Sequence, residues 1–250
     1  MLSVGYINKW FHLGISEADW EIFIIPSLTL LYFFIIFPQL RKVFSEQFIK
    51  VRSLDKLIAI PILFAIIKLT VVYLYLYFPV LLHGDIISIG KDQYVGHEDL
   101  STLGEILLVG IVGPFNEEVL FRFLFLFFLP YFLLFHTFVK KPLILKEYKH
   151  RTLVVPILFL EKIAKWLYYR AFYFKDKKIV IIWTILGSVL FSLAHGPDIY
   201  SFPIYFLPGI IYCYLFLKYG LLASWIAHGF GNMLSPVINS IYYAIFSSYM

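Results

Sequence analysis

Seven polar side chains stand where an otherwise apolar chain should not have them. Asn116, Glu117, Glu118 and Arg122 cluster in one apolar stretch, His195 closes a second, and His228 and Asn232 occupy a run, 219–250, without any Asp, Glu, Lys or Arg. Each ionised side chain at the centre of a membrane helix costs at least about 2.5–3.5 kcal/mol, so such residues face a partner or a cavity. Their spacing divides the labour. Glu118 and Arg122 lie four apart on one helix face, where a guanidinium fork matches a carboxylate, and form the expected internal brace. Glu117 points about 100° away, has no local partner and is the candidate general base. His228 and Asn232, again four apart, can aim an imidazole and an amide at one point. If the helices converge, these types suffice to hydrolyse an amide. Glu117 would take a proton from water, His195 would orient or activate that water, and His228 with Asn232 would stabilise the tetrahedral oxyanion. Buried His and Asn also serve as hydrogen-bonding glue between helices, and Lys68, the other charge within an apolar run, reads as a structural lysine that snorkels.

The elements that must position these groups are membrane helices. At 61% hydrophobic and 15% charged residues, the chain is far from the balance of a soluble domain. The runs 22–40, 179–197, 199–217 and 219–250 carry no charged residue, and about 20 such residues span a bilayer as a helix. Spans are expected at 22–40, 57–82, 105–139, 153–174, 179–196, 202–218 and 221–247. The fold class is therefore all-α, a polytopic transmembrane bundle of about seven to eight helices. The chain reads as one transmembrane domain over 1–250. The 105–139 stretch is too long for one straight crossing, and Gly113-Pro114 is expected to break or kink it into two helices. The 153–174 stretch, with Glu161, Lys162, Lys165 and Arg170, either crosses or lies along the interface. Ser16 and Asp19 have capping-box spacing before the first run, and no cleavable signal is expected ahead of it. Cys213, the only cysteine, lies in an apolar run and reads as packing.

Basic residues gather at 41–56 and 140–151, and the positive-inside rule puts both in the cytosol; the acidic 84–104 connection is then outside. If 153–174 crosses, the loop after His195 faces the cytosol; otherwise it faces out. The net charge of +5 reflects this loop bias, and with no basic groove or motif no nucleic-acid partner is expected.

Three motifs occur in order on separate apolar segments: Glu117-Glu118-Val119-Leu120-Phe121-Arg122 (EExxxR), Phe191-Ser192-Leu193-Ala194-His195 (FxxxH) and His228-Gly229-Phe230-Gly231-Asn232 (HxxxN). In these the chain resembles the CPBP (CAAX protease and bacteriocin-processing, or ABI) family of intramembrane endopeptidases, which includes CAAX prenyl proteases of the Ras-converting type. The resemblance covers a catalytic core at about 100–235. It implies a polar cavity open to the cytosol, Glu117 with His195 as the base, and His228 with Asn232 at the oxyanion. It further implies membrane lipids and membrane-associated peptides, prenylated ones among them, as partners. The location is multi-pass in a membrane, the plasma membrane in a prokaryote or the endoplasmic reticulum in a eukaryote. Where family members often carry glycine after the motif arginine, Phe123 stands here, so altered local packing is expected. No cofactor is expected. The alternatives are zinc held by Glu117, His195 and His228, a His₂Glu set without an HExxH helix, or a non-catalytic membrane protein such as an immunity factor or scaffold.

Overall fold

The computed structural model of the chain describes residues 38–88, 101–128 and 176–249, with short fragments between 11 and 35 and between 158 and 170. Most of the expected 22–40 and 153–174 spans, all of 140–151, the end of 105–139 and the Ser16–Asp19 cap lie outside the described residues. Within them the chain is helical, without a strand. Helix α1 is Pro38–Phe48, α2 is Asp55–Leu82, α3 covers 102–128, α4 is Lys177–Leu193, α5 is Phe202–Tyr219 and α6 is Leu221–Phe246. The main packing contacts join α6 to α2, α4 to α5 and α5 to α6, with α3 against both α6 and α4.

Two of these helices, α2 and α5, are long and apolar enough to cross a membrane. On α2 the buried residues Ala65, Lys68, Leu69, Val72, Tyr73 and Leu76 follow the helical period, while Leu63, Ile66, Ile67, Val71 and Leu74 are exposed. An outer face that is also apolar is the signature of a helix solvated by lipid. Helix α4 presents Ile181, Ile182 and Ile185 in the same way.

The helical backbone runs through Gly113-Pro114 without a break, contrary to the expected division at that point. Pro114 has no N–H to offer the Gly110 carbonyl, and α3 absorbs the mismatch in π-helical turns on both sides, Ile106–Val112 and Val119–Phe128. At this level α3 and α6 meet backbone to backbone. The Gly229 Cα lies directly on the Gly110 carbonyl oxygen, leaving no room for a Cβ.

A single residue, Gly220, joins α5 to α6. Its φ of +102° is open to glycine only, and Lys50 closes the turn by donating its N–H to the Tyr219 carbonyl at 3.1 Å. The Gly220 turn and the basic 41–56 stretch therefore share one end of the bundle. The opposite end holds the close of α2 and the 194–201 loop, tied together by the Tyr75 hydroxyl on the Tyr200 carbonyl at 2.9 Å. Two consequences follow. First, if 41–56 is cytosolic, the loop after His195 faces out. Second, Phe127 packs on Phe216 near the Gly220 end and Trp183, near the start of α4, donates to the Leu126 carbonyl, so the end of α3 and the start of α4 lie at the same end of the bundle.

Candidate active site

The EExxxR motif lies on α3, where adjacent glutamates meet different surroundings. Glu118 is fully buried. Its Oε2 is 3.3 Å from Arg122 Nε and accepts from the Ser224 hydroxyl; its Oε1 accepts from His228 Nδ1 at 2.9 Å. Arg122 is also fully buried, with its guanidinium 4.2 Å from the Phe191 ring centre and one N–H toward the Gly209 carbonyl at 3.5 Å. Its Nε and Nη1 make no hydrogen bond, so charge and aromatic faces hold it more than directed bonds do. Phe123, the bulky neighbour, fills space against α1 edge-on to Phe44 at 5.0 Å and is completely buried, which is how the packing here accommodates the absence of glycine.

Glu117 points into open space. Its Oε2 stands 3.5 Å from His195 Nε2 and 3.8 Å from His228 Nε2, and that oxygen, shielded from solvent, makes no hydrogen bond. His195 comes from the end of α4. Its Nδ1 donates to the Phe191 carbonyl at 2.8 Å, and its ring stacks on Tyr205 at 4.7 Å. A carbonyl only accepts, so Nδ1 carries the proton and the lone pair of neutral His195 sits on Nε2, facing Glu117. His228 is fixed the same way. Its Nδ1 is committed to Glu118, its ring lies flat on Tyr212 at 4.5 Å, and Nε2 turns toward Glu117. Tyr212 and His228 are equidistant from Gly220, so the turn sets this stacking register. Asn232 lies one turn beyond His228 and gives one Nδ2 hydrogen to the Val109 carbonyl at 3.2 Å, leaving the other uncommitted in that contact.

The structure thus brings Glu117, His195, His228 and Asn232 to the wall of one cavity of about 770 Å³ and sets Glu118 and Arg122 behind it. From this level the lining runs along every helix away from the Gly220 end: Glu117 to Glu105 on α3, Tyr212 to Ile204 on α5, and His228 to Asn239 on α6. The cavity therefore extends toward the end opposite the basic 41–56 stretch. If 41–56 is cytosolic, the described lining extends away from the cytosol.

Sequence reasoning missed three features. On α6 the polar stripe continues past the HxxxN motif as Ser235 and Asn239, which hold the hydroxyls of Tyr73 at 2.6 Å and Tyr77 at 2.9 Å; the spacing 228, 232, 235, 239 was a legible signal. Glu118 also grips His228, in addition to the expected Arg122. Lys68 is buried on the cavity wall and does not snorkel. Cys213 is buried in the core, as a packing residue should be.

Among the described residues no group of three or more His, Cys, Asp or Glu side chains is arranged to hold a metal ion. Glu117, His195 and His228, with both Nε2 atoms within 3.8 Å of the Glu117 carboxylate, carry the donor types of a His₂Glu set.

The family model for type II CAAX prenyl endopeptidases, Rce1-like, matches residues 99–234, more than half of the chain. The chain belongs to this family. Membership in the Rce1-like family makes it a membrane-associated protease acting on peptides. The Rce1-like match takes in all three motifs and ends short of Ser235 and Asn239, while α2 with Lys68 precedes it. No curated protein and no solved structure matches the chain.

Proposed function

We propose that this chain is a multi-pass intramembrane endopeptidase that cleaves membrane-associated polypeptides, prenylated CAAX-type ends among them, with a water activated by Glu117. The observation that supports this reading is a shielded carboxylate oxygen, free of hydrogen bonds, held between two imidazole nitrogens on the wall of a cavity. A water entering there donates one hydrogen to Glu117 and the other to the Nε2 lone pair of His195. Its own lone pair is then free to attack a peptide carbonyl. Glu117 takes the proton as the C–O bond forms. When His228 carries both protons, Nδ1–H is bound by Glu118, Nε2–H faces the oxyanion, and the adjacent carboxylate balances the charge. Asn232 supplies a second donor. Collapse breaks the C–N bond as Glu117 returns its proton to the leaving amine, so protons balance over the cycle.

The reading takes 1–250 as one domain with a polar intramembrane cavity, resident in the plasma membrane of a prokaryote or the endoplasmic reticulum of a eukaryote, and needs no metal. Membranes bearing wild type, Glu117→Gln or Glu118→Gln, supplied with prenylated CAAX-type peptides and a broader peptide pool, test it. Cleavage that survives Glu117→Gln removes the proposed base. Loss of activity on exhaustive chelation, restored by zinc, replaces the water mechanism by the metal one. The absence of any cleaved peptide in the mass-spectrometric profile favours a non-catalytic membrane protein.

A further inference from the structure

Among the described residues, Lys68 is the one lysine or arginine on the cavity wall. It sits at the middle of α2, 13 residues from Asp55 and 14 from Leu82, or about 20 Å from either end at helical rise, well beyond the reach of a lysine side chain. It is 7% exposed. Its ammonium donates to the Tyr212 hydroxyl at 3.2 Å, and among the described residues no carboxylate lies within 4 Å of it. Gly231 makes the room, since a Cβ there would stand 2.9 Å from Nζ. A buried ammonium satisfied by one neutral hydroxyl is costly unless an anion joins it.

The anion's place is set by Tyr212, whose ring is stacked on His228 at 4.5 Å and lies 5.8 Å from Lys68 Nζ. Lys68 Nζ is therefore within about 10 Å of the centre of the His228 ring, whose Nε2 faces the proposed oxyanion, a separation on the order of three extended residues. Glu105, the other charged lining residue away from the motif, is exposed at the start of α3. Resting on the endopeptidase reading above, we infer that Lys68 binds the C-terminal carboxylate of the substrate, so that the enzyme measures a short C-terminal peptide from the chain end to the scissile bond.

The test compares two prenylated peptides of one sequence, one ending in a free carboxylate and the other in an amide, with the full-length protein in detergent micelles. The wild type should favour the acid in kcat/KM by about tenfold or more, as expected for a charge-assisted hydrogen bond in a poorly hydrated site. Lys68→Met should bring the ratio near unity, and Lys68→Arg should keep part of it. Because Lys68→Met removes a buried charge, its melting temperature should equal or exceed that of the wild type. A Lys68→Met protein that keeps the wild-type ratio overturns the inference, as does one that melts lower and loses both peptides equally. Binding of the fluorescein-labelled peptides to the Glu117→Gln protein separates the two readings. If the wild type cleaves neither peptide, the endopeptidase reading falls, while acid-selective binding that Lys68→Met abolishes still supports the carboxylate site. Equal binding of acid and amide overturns it.

Discussion

Glu117 and Glu118 are joined by one peptide bond and belong to two regions with opposite character. Behind the cavity, Glu118 has a partner for each oxygen and is sealed among Arg122, Ser224 and His228. On the cavity wall, Glu117 Oε2 is shielded yet makes no hydrogen bond, and Lys68 has a single neutral partner. A polar group left short of partners in a packed helical bundle is stable only if the rest of the structure holds it there. The sealed region does the holding, and the open region is where a reacting molecule completes the set.

The largest effect should separate the two regions outright. Glu117→Gln is expected to lower kcat by at least about a hundredfold with an unchanged melting temperature, measured by peptide release and thermal unfolding in detergent. Glu118→Gln should act on stability instead, since it strands the buried Arg122 charge at a cost of about 3–5 kcal/mol, read as a loss of folded yield. Pairing it with Arg122→Met should restore much of the yield but not the activity, because His228 Nδ1 stays unanchored. Equal activity of the double variant and wild type would erase the distinction between brace and site. Gly229→Ala tests the spacer common to both regions. Its Cβ would strike the Gly110 carbonyl, and a penalty of about 1–3 kcal/mol with a fall in activity is expected. The smallest effect lies in the loop after His195. There Asp198 accepts from the Tyr200 and Ser201 N–H groups and the Ser201 hydroxyl. Hydrogen bonds from Ser201 hold its carboxyl below the ordinary value. A depressed carboxyl contributes stability above the unfolded-state value and loses it as pH falls through the folded one. Asp198→Ala should melt slightly lower at neutral pH, and the difference should fade in acid melting curves.

Much of the site was legible because residue type and spacing suffice for local geometry. The i,i+4 rule pairs Glu118 with Arg122 and puts Glu117 on another face. Contacts between distant segments follow no such rule: the bond from His228 to Glu118 spans 110 residues and depends on where Gly220 turns the chain. The continuity of the helix at Gly113-Pro114, where a break or a kink was expected, has a similar origin. Proline forbids one backbone hydrogen bond, but whether the helix breaks or re-registers through π turns depends on the neighbour packed against it. Lys68 could have been read better, since its place at the centre of an apolar span rules out snorkelling by length alone.

Carboxylates gather at the end toward which the cavity extends. Asp85, Glu105 and Asp198 are exposed there, and Lys68 is the innermost lining residue of α2. With Lys68 inside, the exposed carboxylates form a dipole whose outer pole acts through solvent and is screened as salt rises. A peptide with a basic stretch trailing its carboxylate is the opposite dipole and would be rotated into line before it touches Glu117. Capture of such a peptide should then slow with rising salt while turnover of the bound complex does not.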